Sequence, residues 1–357
     1  MFRTFLCPAS ARVTYSLRII IRSHFGNSHM SCVSPSYHAL RTYLPSNISI
    51  KVYESYPTPK AATYLVGGGI ESFPNGLRAL DASSPASVVY LRAHGNACQL
   101  GSVQDRIRLP KVSAHESLLL GIPDGVVEWG RKVVEVRETA DAAQVIFEDG
   151  AIETCDLVIG ADGAKSVCRQ ALFAKRRTSF STSAGGFAPF ATLTPALPSS
   201  VKADQAVMTL SHSGSFTCAL SLPASPSVNE QQVMFWSTYA SNASPPHDQP
   251  PEDIRAVLMQ RHAHRSFLHG TELNLNGAAG IILVGDTARP ATPDSEQGAP
   301  MALKDAQALG VLFCHYLKSL HPDVLLNVAK AYEELRILRI EKINNSGKRY
   351  LIGNRPV

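Results

Sequence analysis

The sequence predicts an α/β fold: a parallel sheet with helices, an inserted antiparallel β domain, and helices at the carboxy terminus. Three observations carry this. Two short apolar runs, Leu157-Val-Ile-Gly160 and Ile281-Ile-Leu-Val284, each pass straight into a small-residue turn holding an acid, as strands buried on both faces do. Ile48 to Glu54 alternates apolar and polar residues and also ends on an acid. Between Phe187 and Tyr239 the texture changes to β-rich runs separated by Pro, Ser and Gly, which reads as a sheet inserted between the two apolar strands.

Taken in order, Tyr37 to Leu44 reads as the end of a helix and Ile48 to Glu54 as a strand, followed by a Gly67-Gly68-Gly69 turn. Pro74 to Leu80 reads as a short helix with Pro in its first turn, and Val112 to Leu120 as another helix. Val126–Arg137 and Ala143–Phe147 form an expected strand pair, with Asp149-Gly150 as a hairpin signal. The inserted sheet takes Phe187–Leu193, Val207–Ser211, Phe216–Leu222 and Val233–Tyr239; Ile254–His264 is a helix. After the second apolar strand comes a Pro-rich loop and a helix from Gly298 to Leu317. A last helix, Leu325–Ile343, places Leu326, Ala329, Tyr332, Leu335 and Leu338 at core spacing.

Composition bounds the function. The chain has 357 residues, 45% apolar and 18% charged, which suits one large or two ordinary domains and excludes a disordered or fibrous protein. The net charge of +5 is local: six basic residues precede the first acid, Glu54, and the remainder holds 28 basic against 29 acidic residues. No basic stripe with interleaved aromatics follows, so no nucleic-acid partner is expected. No apolar run reaches the length of a membrane span, so no integral membrane segment is expected. Seven scattered cysteines without a CxxC fit a reducing compartment. The histidines show no HExxH, so no metal site is expected. Residues 1–35, Ser- and Arg-rich and free of acids, suit either a mitochondrial transit peptide or an atypical, poorly ordered amino terminus. The expected location is cytoplasmic, or mitochondrial if that segment is a transit peptide.

The densest chemistry lies in Gly285 to Ala306, GDTARPATPDSEQGAPMALKDA. A buried strand delivers Asp286 to the carboxyl edge of a sheet, where ligands of α/β folds bind. Its carboxylate can accept hydrogen bonds from polyol hydroxyls. Pro290 and Pro293 stiffen the loop, Gly298 allows close backbone approach, and the following helix offers free N–H groups and a positive dipole end. This segment resembles the GD motif of the class A flavoprotein aromatic hydroxylases, the family of para-hydroxybenzoate and salicylate hydroxylases. The resemblance implies a Rossmann-like FAD-binding domain. Gly285 and Asp286 would bind the ribityl chain of FAD, and Gln297, Gly298 and Ala299 would lie beside the isoalloxazine and pyrophosphate. Where the family has GQG, this chain has Glu296-Gln297-Gly298, which sets a carboxylate near the ring.

A second segment, Asp156 to Arg169 (DLVIGADGAKSVCR), resembles the family's DG motif, tied there to FAD and to NAD(P)H. Asp162 can hold its turn by local hydrogen bonds. Glu54 and the turn at Gly68 occupy the place where dinucleotide folds bind the adenosine ribose. Phe73-Pro74-Asn75-Gly76-Leu77 resembles the family's SPNGLRAL stretch. Lys111 stands where the family has an Arg against the flavin or pyrophosphate; it keeps the charge and loses the planar fork.

One family element is missing. About 20 residues before Glu54 a strand and GxGxxG should occur. Leu17 to Arg22 can stand in for the strand, but no glycine lies between Gly26 and Gly67. The expected division is an atypical segment 1–36, a first FAD-binding part 37–175, a substrate-binding sheet 176–270, and the GD motif with terminal helices 271–357. The implied function is FAD-dependent hydroxylation or epoxidation of a small aromatic or polycyclic substrate with NAD(P)H and O2. The alternatives are a truncated, catalytically silent paralogue and a reductase that never activates oxygen. No catalytic acid or base is assigned, since the flavin carries the hard step. Phe216, Trp236 and Tyr239 are candidates either for the substrate pocket or for the core of the sheet.

Overall fold

The computed structural model describes residues 17–23, 33–59, 69–100, 103–139, 142–163, 166–173, 184–194, 206–211, 214–220, 231–241, 280–288, 298–319, 323–336 and 339. Its organising element is a five-stranded sheet in the order β15-β10-β1-β2-β6, made of β1 (Arg18–Ser23), β2 (Ser49–Glu54), β6 (Val127–Trp129), β10 (Leu157–Ala161) and β15 (Ile281–Leu283). Every pairing in it is parallel. β1 is the central strand. Its RIIIRS run divides between two cores: Ile19 and Ile21 enter one and Ile20 the other. The same holds for β10, whose Leu157 and Ile159 face one side and Val158 the other. Residues 18–23, expected within an atypical amino-terminal segment, are therefore the middle of the sheet, and the expected boundary at 36/37 falls inside helix α1 (Val33–Tyr43).

One face of the sheet is covered by α1, by α7 (Gly298–Lys318) and by a terminal helix, α8, over 324–336. Leu40, Leu309, Phe313, Val328 and Tyr332 fill that layer. In α8 the buried row is Val324, Val328, Tyr332 and Arg336. Of the row expected from sequence, Tyr332 is buried and Ala329 packs against the core, but Leu335 is 54% exposed, because the row 324-328-332-336 faces inward. Residues beyond 339 lie outside the description.

The other face carries a three-stranded antiparallel sheet, β7 (Val133–Glu138), β8 (Ala143–Phe147) and β9 (Ile152–Cys155), together with α5 (Val167–Phe173). β7 pairs with β8 as expected, and the Asp149-Gly150 hairpin turn joins β8 to β9, with Gly150 at φ +81°. The expected single strand from Val126 to Arg137 is two strands in different sheets, divided at Gly130, which has φ +72°.

A second small sheet, β3-β5-β4, was not expected. It consists of β3 (Gly69–Ser72), β4 (Asn96–Leu100) and β5 (Val103–Pro110). Gly69, read as part of a turn, begins β3. The sheet packs with α2 (Pro74–Asp81), α3 (Pro85–His94) and α4 (Lys111–Leu119) on Ala299 and Leu303 of α7. α7 thus ties the small sheet to the main core. The inserted domain lies in sequence between α5 and β15. Its strands are β11 (Ala184–Thr194), β12 (Ala206–Ser211), β13 (Gly214–Leu220) and β14 (Gln231–Ser241), all antiparallel, in the order β11-β14-β13-β12. Phe216, Trp236 and Tyr239 lie on β13 and β14, and the helix expected at Ile254–His264 lies outside the described residues, as do the expected boundaries near 175 and 270. Among the described residues, no helix is long and apolar enough to cross a membrane.

Two tests follow from the packing. α1 and α7 touch at Gly310, where a methyl group would stand 2.6 Å from Tyr43 Cδ2 and 2.8 Å from the Ala39 carbonyl oxygen. Alanine gains up to about 1 kcal/mol of helix propensity, but overpacking against backbone costs about 1–3 kcal/mol. Gly310→Ala is expected to lower the urea midpoint; an unchanged or higher midpoint contradicts this packing. His115 is buried edge-on to Trp129, and burial pushes its pKa from 6.5 down to about 4. Between those values the unfolded chain binds the extra proton, so stability falls as pH drops, by at most about 1.4 kcal/mol per unit. His115→Gln is expected to flatten the stability profile in that window, read by urea denaturation at stepped pH.

Candidate functional site

In a parallel sheet the register decides which residues meet at the carboxyl edge. Ser23 pairs with both Glu54 and Ala161, and Gly160 pairs with Leu283. Glu54, Asp162 and Gly285 therefore emerge along one edge, where β1 is flanked by β2 on one side and β10 on the other. β1 is followed in the sheet by β2 on one side, whereas β10 is followed by β15 on the other, so the strand order reverses between β1 and β10 and the edge is a topological switch point.

Glu54 is fully buried at the end of β2. Its Oε1 accepts from Ser55 Oγ and from the Tyr56 amide, both at 3.1 Å. Burial, and then the Glu54 charge, push the Tyr56 hydroxyl above its ordinary pKa.

The DG turn is held by its own acid. Asp162 Oδ1 accepts from Ser166 Oγ, and Oδ2 accepts from the Val167 amide at 2.9 Å. Ser166 in turn caps α5 by accepting from the Arg169 amide at 2.9 Å. Gly163 follows with φ +76°, a conformation that favours glycine.

The GD turn is knitted to it. Thr287 lies in α6 (Gly285–Ala288), a single turn that continues β15. Its hydroxyl oxygen accepts from the Gly163 amide at 2.6 Å, and the hydroxyl reaches Asp162 Oδ1 at 3.4 Å. Arg169 Nη1 donates to the carbonyls of Thr287 and Ala288 at 3.0 and 2.9 Å. Burial lowers the pKa of that guanidinium, a desolvation cost that the two carbonyls offset in part. Gly285 has φ +55°, and its amide donates to Asp305 Oδ2 at 2.9 Å. Asp305 is fully buried in α7 and ion-paired through Oδ1 with Arg336 of α8.

The sequence-predicted residues are distributed as follows. Glu54, Asp162 and Gly285 share the edge. Gly298 and Ala299 are buried in the first turn of α7, which packs so closely on α2 that a methyl on Gly76 would stand 2.8 Å from Pro300 Cα. Asp286 is the second residue of α6 and Lys111 the first of α4; their side chains lie outside the description. Gly68, Gln297 and the segment 24–32 between β1 and α1 lie outside it altogether. Sequence reading missed Thr287, Asp305 and Arg336 as site residues. The first two sit inside the GD segment, and the third continues the Val324-Val328-Tyr332 row by one more step of four. Among the described residues, no group of three or more His, Cys, Asp or Glu is placed to hold a metal ion.

The donor set suits a dinucleotide. A buried carboxylate at the end of the second strand matches vicinal ribose hydroxyls, an acid in the GD turn matches a polyol, and a 21-residue helix begins beside that turn. Fold and edge together define a nucleotide-cofactor-binding α/β protein. Comparison with known proteins gives the narrower class. Residues 125–344 match the family described as the FAD binding domain. A relative in Streptomyces cremeus, 3-amino-4-hydroxybenzoate 2-monooxygenase, is 27% identical over 341 residues, covering 85% of this chain and 80% of that one. Among solved structures, a salicylate hydroxylase substrate complex aligns with TM-score 0.65 at 17% identity, over 93% of this chain and 87% of that one. Klebsiella pneumoniae HpxO, complexed with FAD and uric acid, aligns with TM-score 0.61 at 17% identity, over 96% and 97%. The chain belongs to the FAD binding domain family and, within it, to the class A FAD-dependent monooxygenases. It is an enzyme of the oxidoreductase class with FAD as cofactor.

The Thr287 hydroxyl can be tested apart from the cofactor. Thr287→Val keeps the shape and leaves the Gly163 amide without that acceptor, so a loss of about 1–3 kcal/mol is expected. Thr287→Ser is expected to retain most of the stability. Equal urea midpoints for the valine variant and the parent would contradict the geometry.

Proposed function

We propose that the enzyme uses NAD(P)H and O2 to hydroxylate or epoxidise a small aromatic or polycyclic substrate. The observation that carries the reading is the hydrogen-bonded union of the DG and GD turns on the edge that also buries Glu54. Membership of the monooxygenase class supports it. When bound, FAD supplies electron transfer from NAD(P)H to O2 and delivery of one oxygen atom to the substrate.

The chain's own residues bind and orient. Glu54 would accept hydrogen bonds from the adenosine ribose and Asp286 from the ribityl hydroxyls, and Gly68 is proposed as a further cofactor-binding residue. The first turn of α7, at Gly298 and Ala299, would set backbone amides and a positive dipole end against the ring, where negative charge is favoured, and Gln297, the residue before it in sequence, would also contact the cofactor. Lys111 would supply a cation near the flavin or pyrophosphate. By strand alternation and register Phe216 and Tyr239 belong to one face of the inserted sheet and Trp236 to the other, so one of these two sets would line the substrate pocket and the other would not. Among the described residues, Cys155 and Cys314 form no disulfide. That supports a reducing compartment: the cytoplasm, or the mitochondrion if residues 1–35 are a transit peptide. A second reading, a silent paralogue with impaired FAD binding, is favoured by one observation. The segment 24–32, where a phosphate loop belongs, has Gly26 as its only glycine.

The purified chain is expected to be yellow, with absorbance at about 450 nm, and to oxidise NAD(P)H while transferring oxygen from O2 into an aromatic substrate. A colourless protein that takes up no added FAD contradicts this reading and supports the silent paralogue. Reduced flavin with no oxygenated product across a panel of aromatic acids and phenols supports a reductase instead.

A further inference from the structure

We propose that Asp305 and Arg336 are positioning residues: through them the terminal helix α8 fixes the Gly285–Asp286 turn and thereby sets the affinity for FAD. The inference rests on the reading above that this turn binds the cofactor.

Both oxygens of the Asp305 carboxylate have specific work. Oδ2 accepts from the Gly285 amide at 2.9 Å, and Oδ1 accepts from Arg336 Nε. Asp305 is fully buried and Arg336 is 5% exposed. A carboxylate in that position is costly unless a cation accompanies it, so the charge on Arg336 keeps an ionised acceptor available to Gly285. A neutral residue at 305 would fill the space, but it would not hold that amide as strongly. Gly285 is also the residue whose backbone lies at φ +55°. Anchoring its amide restricts the one position in the turn with the widest conformational freedom.

Arg336 reaches the other half of the motif as well. Its Nη2 donates to the Met301 carbonyl at 3.3 Å, close to the start of α7. One guanidinium therefore braces the turn that carries Asp286 and the helix start that carries Gly298 and Ala299. Its position follows from the docking of α8, since Val324, Val328 and Tyr332 on the same row are buried in the main core. Linkage then requires reciprocity: if a docked α8 strengthens FAD binding, bound FAD strengthens the docking of α8 by the same factor.

Two measurements on the full chain test this. The first is the FAD dissociation constant, read by quenching of flavin fluorescence, for the parent, Arg336→Gln, Arg336→Lys and Asp305→Asn. The glutamine and asparagine variants are expected to bind FAD about tenfold more weakly, with Arg336→Lys recovering part of the loss because it keeps the charge. The second is hydrogen exchange of the parent with and without FAD, which is expected to slow across 324–336 as well as at the two turns. Parent-like FAD binding by Arg336→Gln, or FAD protection of the turns with none over 324–336, overturns the relay while leaving the cofactor assignment intact. If the parent takes up no FAD, the assignment itself fails and the relay with it. If Arg336→Gln does not fold, the exchange measurement on the parent decides the matter.

Discussion

The clasp between the ends of β10 and β15 is the interaction on which the rest of the site depends. Three side chains make it: Asp162, Thr287 and Arg169. The Gly163 amide meets the Thr287 hydroxyl, and the guanidinium of Arg169 bridges two carbonyls of the opposite turn. These turns are separated in sequence by α5 and the whole inserted antiparallel domain. Loop-closure entropy grows only slowly with length, so such an insertion is tolerated if the ends are held. Strand pairing at Gly160 and Leu283 and the clasp just beyond it provide that hold.

The second constraint is the double burial of the central strands. β1 and β10 send alternate residues into two different cores. Neither face can be exposed, and the parallel sheet is fixed between a helical layer and the β7-β8-β9 sheet. With the sheet fixed, its carboxyl edge is fixed, and Glu54, Asp162 and Gly285 are brought together by register alone. α7 then extends the edge toward the small sheet, because its first turns pack on that sheet's core and its later turns on the main one.

Much of this could be read from the sequence, for definite reasons. Apolar runs ending in a small residue and an acid mark buried parallel strands, and both such runs are where the sequence put them. The inserted strands were legible from turn residues between β-rich runs. The small sheet was not, because β5 buries Arg106 and Arg108 on one face, so its pattern reads as an exposed polar strand. The Arg106 guanidinium instead lies over the Phe73 ring at 4.3 Å. Asp305 and Arg336 were hidden for the same reason: a lone acid or base in a helix reads as a surface charge until its partner is known. The terminal helix was found, and its inward face was placed in part: Tyr332 and Ala329 meet the core and Leu335 does not. Leucines at 326 and 335 fit helical spacing as well as the valines that are buried, and only packing chooses between the two rows.

The account's central claim is that the edge bounded by Glu54, Gly163 and Gly285 is shaped to receive FAD. A crystal structure grown in the presence of FAD tests it most directly. The account predicts the adenosine ribose against the Glu54 carboxylate and the ring system beside the Gly285–Asp286 turn and the first turn of α7. A crevice closed by the chain's own side chains at those three residues, with FAD absent or bound elsewhere, would contradict it.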